Sequence, residues 1–281
     1  LCHVYQHQCR FTEAVAFMKG CSETWNSLMS FMYTHNWWHV ALCYLEGGGS
    51  KEEVRYIYDE HIWKELERSD SMPAEVYLNA LGLLLRVFLR GEFGVFEDRL
   101  RKLAKCVTDQ GLWFLEWHLD ILMLWGLSYG GEAKAGEDLL HELKSRFLMM
   151  NKKKQQLMKP AIKLAEAVFE YGKGDGSRAL KLLGHEFCAA DYKIIGASDE
   201  QLDVFTELHI ILLLDGREAQ SAIRAVEEQL KKREGAPFLW SLLERGHAIL
   251  GSEEGEEEEE AASYGKKARE LAAKYFTEPI M

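Results

Sequence analysis

Two histidines four residues apart, His35 and His39 in "THNWWHVALCYLEGGGS" (34–50), could hold a metal ion on one face of a helix. Asn36, Trp37 and Trp38 stand between them, and His3 and His7 repeat the spacing upstream. At about 100° per residue, His35, His39, Leu42 and Glu46 share a stripe, with Cys43 within reach. Two neutral imidazoles so placed can chelate zinc, and Glu46 or a neighbouring helix could complete the shell. A hydrolytic centre of the HExxH kind, however, needs an acid directly after the first histidine to activate water, and this chain has Asn36 there. The residues therefore weigh toward a polar core in which His, Asn and Trp bond to one another and fix the register of adjacent helices. No metal or other cofactor is assigned.

Further candidates lie downstream. In "LWFLEWHLDILMLW" (112–125), Glu116 and Asp120 are spaced to share a helix face with Trp113 and Trp117, and His118 lies between them. Paired carboxylates beside tryptophan suit glycosidic chemistry when their pKa values are split, but charges at this spacing more commonly line a wet groove. "IYDEHI" (57–62) adds Asp59 and His61, where a side-chain network between helices is expected. In "GASDEQLDVF" (196–205), Ser198 and Gln201 make a capping box, which leaves Asp203 without a helix-start role. Cys43 and Cys188 read as small core residues, and "GGGSK" (47–51) as a turn rather than a phosphate-binding loop. No serine sits in a nucleophile elbow and no GxGxxG follows a strand.

The elements that must position these residues are read from a repeat. Glycine-bearing turns at Gly48, Gly91, Gly131, Gly174 and Gly216 follow apolar stretches at spacings of 43, 40, 43 and 42. Between them a strongly apolar segment such as "VYLNALGLLLRVFL" alternates with an amphipathic one such as "FEDRLRKLAKCV". No strand-like alternation appears, and three of the four prolines fall at or near expected helix starts. The pattern predicts an all-α chain, a single domain over 1–281: a TPR-like right-handed superhelix of about six stacked antiparallel hairpins. Residues 252–260 are expected to form an acidic flexible loop, with Gly251 and Gly255 breaking helix, before a last helix over 261–275.

Composition limits the partners. The net charge is −11, and setting aside the seven glutamates of the acidic run leaves −4, so no basic field remains for nucleic acid. Lys152, Lys153 and Lys154, among Asn and Gln, read as a solvated turn. No apolar run approaches a membrane span, so no membrane partner is expected. Six cysteines without CxxC spacing fit a reducing, cytoplasmic location. The chain opens on Leu1 inside a helical pattern, as the C-terminal part of a longer protein would.

"RFTEAVAFM" beside "HNWWHVALCYLE", then "IYDEHI" and "GASDEQLDVF", resembles the tetratricopeptide repeat protein 38 family, in order from residue 1 to about residue 250. The resemblance implies a TPR-like scaffold and a longer N-terminal part, and it carries no established enzymatic activity. Where the family pattern "AHVxE" has Glu, this chain has Gln6; His118 matches an acidic-x-His pattern; Asp203 matches a Gln-x-Asp pattern in which an expected basic residue is replaced by Leu202. The expected function is a scaffold that binds a protein segment or small ligand on its concave face. The residues expected to line it are His3, His35, Asn36, Trp38, His39, Asp59, His61, Glu116, His118 and Asp203. The alternative is a metal-dependent or acid/base hydrolase built around His3, His35, His39, Glu116 and His118.

Overall fold

The computed structural model describes residues 1–254 and 258–276, apart from the side chains of 252–254 and 258. Among the described residues the regular structure is helical, with no strand. The helices are α1 (Cys2–His7), α2 (Phe11–Cys21), α3 (Ser30–Glu46), α4 (Lys51–Ile57), α5 (Pro73–Leu89), α6 (Glu97–Cys106) and α7 (Trp117–Tyr129). They continue with α8 (Ala133–Met149), α9 (Lys152–Gly172), α10 (Gly176–Leu183), α11 (Asp199–Asp215), α12 (Ala219–Leu230), α13 (Pro237–Glu254) and α14 (Glu258–Ala272). Short 3₁₀ segments punctuate them, and α4 runs on into a π-helical turn, Tyr58–Ile62.

The expected alternation is present and has a plain physical cause. Every residue of α7 from His118 to Ser128 is buried, whereas α6 buries only Leu100, Leu103 and Ala104, and α12 only Ala219, Ala222 and Val226. A helix covered on all sides must be apolar all round; one covered on a single face keeps a wet stripe. Helix starts follow local chemistry. Pro73 and Pro237 open α5 and α13, where a missing N–H costs nothing, and Asn151 accepts from the Lys154 N–H at the start of α9. Ser198 and Gln201 complete the capping box of α11 in both directions. Pro160 lies inside α9, where it removes the bond to the Gln156 carbonyl.

The glycine turns share one construction. Gly48, Gly91, Gly131 and Gly174 have φ between +70° and +94°, and the following N–H reaches back to the carbonyl five residues earlier, as in Glu92 to Val87 and Asp175 to Glu170. At the fifth turn Gly216 keeps a negative φ and Arg217, at +60°, takes the left-handed position. Cys9, at +55°, does the same after α1, with Arg10 N–H bonded to Tyr5 O at 2.8 Å.

The chain divides into two compact units, 1–83 with 217–281, and 84–216; α5 contributes to both. In the first unit, α1 to α4 and the start of α5 fold with α12 to α14. The ion pair of Arg233 with Glu46 (2.8 Å) and the ring contact of Phe11 with Tyr275 join its two sequence segments. A Cβ on Gly48 would come within 2.9 Å of the Ala272 methyl, so this turn needs glycine for space as well as for φ. In the second unit, α7 packs on α6, α8 and α9, and α10 lies between α9 and α11.

Helix continues to Glu254 in α13, through Gly251, and resumes at Glu258 in α14. Residues 252–254 and 258–260 are therefore helical, against the loop expected over 252–260, which leaves untested only 255–257. Those residues, and with them the expected mobility of the acidic run, lie outside the described residues. Glu259 and Glu260 are exposed, as expected. Cys188 is exposed rather than a core residue, because it falls in the irregular stretch between α10 and α11; Cys43 is fully buried.

Candidate functional site

α3 presents its histidines to α1 and α5 of the first unit. His35 Nδ1 lies 3.1 Å from Asn79 Oδ1, His39 Nδ1 2.8 Å from Gln6 Oε1, and the two Nε2 atoms face each other at 3.2 Å. Asn79 is oriented by its own donations, from Nδ2 to Thr34 Oγ1 (2.9 Å) and to Glu75 O (3.3 Å). Thr34 Oγ1 itself donates to Ser30 O at 2.7 Å and so must accept from Asn79. The Asn79 oxygen is thereby turned to the ring, and His35 carries its proton on Nδ1. His35 Nε2 is then an acceptor, and His39 Nε2–H donates to it. The Gln6 amide can turn either its NH₂ or its oxygen toward His39 Nδ1, and so matches a neutral or a doubly protonated ring.

The polar chain continues. Ser30 Oγ donates to Glu65 Oε1 (2.7 Å) and accepts from the Met72 N–H (2.9 Å), and Arg68 pairs with Glu65 at 2.9 Å. Rings enclose the histidines: Phe31 and Trp38 each stack on His35, and His3 meets His39 edge-on at 4.5 Å between centroids. His3 is exposed, His35 half-buried, and Trp38 and His39 buried. Asn36 is half-buried and stands outside this chain of bonds.

His61, in the π-helical turn with half-buried Asp59, stacks on Trp37 with centroids 3.6 Å apart, and Trp25 packs edge-on against the same indole. Burial lowers the His61 pKa to about 4, so the ring is neutral near pH 7. Cys43 is held as a thiol, its pKa raised by its hydrogen bond with Cys2 and by burial.

Glu116, His118 and Asp203 belong to the second unit. Glu116 is the N-cap residue of α7 and Trp113 lies in the preceding turn, so the helix-face arrangement expected for them is absent: α7 begins only at Trp117. Asp120 is buried instead of lining a wet groove; its Oδ1 accepts the Phe114 N–H at 2.9 Å, where Phe114 sits at φ +65°. Burial raises its pKa to about 7, against the lowering effects of the Phe114 N–H and Arg146, with Glu116 adding to the rise. Burial also raises the Glu116 pKa. His118 is fully enclosed beside Phe205, its Nδ1 without a hydrogen-bond partner, and burial together with the Arg86 charge lowers its pKa to about 3. The ring is therefore neutral near pH 7. Asp203 is half-buried on α11.

Sequence reasoning passed over the strongest charges in this unit. Arg90 forms a two-pronged pair with Glu207, at 2.7 and 2.9 Å, both side chains almost wholly buried, and Arg86 Nη2 donates to Glu200 O. The signal was available as lone charges in apolar runs, "LLLRVFLR" and "FTELHIILLL". Among the described residues, no three His, Cys, Asp or Glu side chains are grouped to hold a metal ion. No protein-family model matches the chain, and no solved structure matches it. Among the described residues no helix is long and apolar enough to cross a membrane.

Proposed function

We propose that the chain is a TPR-like interaction scaffold, related to the tetratricopeptide repeat protein 38 family, whose hairpins stack as a right-handed superhelix and which takes an apolar segment of a partner protein. The near-constant interval between left-handed turn residues supports the repeat reading, as does the alternation of buried and amphipathic helices. One observation carries the binding reading: three methionines are exposed where α3 and α5 begin, Met29 and Met32 on either side of Phe31, which stacks on His35, and Met72 just before α5. Met72 N–H bonds Ser30 Oγ, which seats it next to Met29. Flexible, polarizable thioethers on a rigid support suit adaptable recognition of apolar side chains. The polar chain behind them supplies that support, since each link fixes the next.

Proximity labelling in cells with the wild-type chain, compared with the Met29→Asp, Met32→Asp, Met72→Asp variant, tests the reading. Partners enriched by the wild type should be lost by a variant with unchanged helicity and melting temperature. Equal enrichment by both would overturn it. The hydrolase alternative gains no support from the geometry, because His118 is sealed in and the His35–His39 nitrogens are engaged with each other.

A further inference from the structure

The end of α8 and the first turns of α9 expose three large apolar side chains, Leu148 (71% exposed), Met149 (85%) and Leu157 (55%). Lys152, Lys153 and Lys154, all exposed, follow directly. No aspartate or glutamate occurs from residue 143 to residue 165, in a chain whose net charge is −11. On sequence alone the lysines are a solvated turn; the exposed leucines and methionine beside them are what the fold adds.

The turn is also ordered by its own bonds. Gln155 Nε2 donates to Leu148 O (2.9 Å) and to Met150 O (2.8 Å), and Asn151 Oδ1 accepts from the Lys154 N–H (2.9 Å). Carbonyls at a helix end ordinarily rely on water. Here two are satisfied from within the protein, so this end can enter a poorly hydrated layer without stranding them. Arg146 lies over the Phe114 ring at 3.6 Å, which brings the loop carrying exposed Leu115 alongside the end of α8.

We propose that this tip docks on an anionic lipid surface, with Leu148 and Met149 seated at the boundary of headgroups and acyl chains and the three lysines against the headgroup charge. The side chains stand exposed where two helix ends meet, which suits a surface that supplies no pocket of its own. The net negative charge of the chain opposes approach to such a surface, and the stretch 143–165, free of Asp and Glu, is where that opposition is locally reversed.

Co-sedimentation of the full chain with vesicles of phosphatidylcholine alone or with about 30% phosphatidylserine tests this at low and high salt, because the attraction fades as the Debye length shrinks. Binding is expected only to the anionic vesicles. It should fall at least about tenfold in the Lys152→Glu, Lys153→Glu, Lys154→Glu variant and several-fold in Leu148→Ser, Met149→Ser. Both variants should keep the wild-type circular dichroism spectrum; should either unfold, Met149→Ser or Lys153→Glu alone gives the same comparison at smaller amplitude. Loss on lysine reversal with no effect of the serine changes would reveal general polyanion binding and overturn the proposal. So would absence of vesicle binding, or binding of an acidic peptide in its place.

Discussion

Around α3 the buried polar groups are imidazoles and amides, His35 and His39 against Asn79 and Gln6, whereas between α5 and α11 the interior holds full charges, Arg90 against Glu207. Asn79 is fixed by its own donations, but the Gln6 amide can turn to meet whichever proton the His39 ring carries. A guanidinium locked onto a carboxylate has one arrangement, and burial sets a large desolvation cost against its attraction. The first kind of interior adapts to a change of protonation and the second is broken by it. Asp120 is a third case, a carboxyl group whose ionised form burial disfavours.

The contrast can be broken most forcefully at the ion pair. Arg90→Ala leaves Glu207 charged and enclosed and should cost about 3 to 5 kcal/mol in urea denaturation, with much of that recovered in an Arg90→Met, Glu207→Leu double variant. A cost below about 1 kcal/mol would mean that the charges are not confined as described.

Asp120 gives the next largest effect, and its sign is fixed. The folded-state pKa of about 7 exceeds the ordinary aspartate value of about 3.9, so the native state binds the extra proton and loses stability as pH rises from about 4 to about 7. Asp120→Asn keeps a neutral acceptor for the Phe114 N–H. Relative to wild type it should gain about 2 to 4 kcal/mol on going from pH 4 to pH 8, read from denaturation midpoints at the two values.

The imidazole network should respond more weakly. His39→Ala strands Gln6 and one face of His35 and is expected to cost about 1 to 3 kcal/mol, with or without a chelator present. A chelator that destabilised the wild type as much as the substitution does would show a bound metal instead. Smallest is Gly91→Ala, at φ +70° with open space around the added methyl, which should lower stability by about 1 kcal/mol through backbone conformation alone.

Much of the hairpin period is legible in the sequence, because four of the left-handed turn positions are glycines. Arg217 takes that position one residue after the glycine that marks its turn, and Cys9 takes it with no glycine beside it, so the repeat extends upstream of where glycine marks it. Ser198 and Gln201 are legible for a similar reason: a capping box is complete within four residues. The partners of the histidines are not local. Asn79 lies 44 residues from His35 and Gln6 33 from His39, distances bridged only by packing that no single segment encodes. The same is true of Asp120, whose spacing from Glu116 suggests a wet groove while burial decides otherwise.

The union of residues 1–83 with 217–281 bears on how the chain acquires its structure during synthesis. An array whose repeats meet only their neighbours can nucleate anywhere and grow by local steps. Glu46 must await Arg233, 187 positions later, before its charge is paired, and Phe11 must await Tyr275. At a ribosomal pace of about 5 to 20 residues per second, the early hairpins remain without these final contacts for roughly 10 to 40 seconds. During that interval the emerging first segment is a natural client for a chaperone, and a transcript truncated before residue 217 would leave it in that condition permanently.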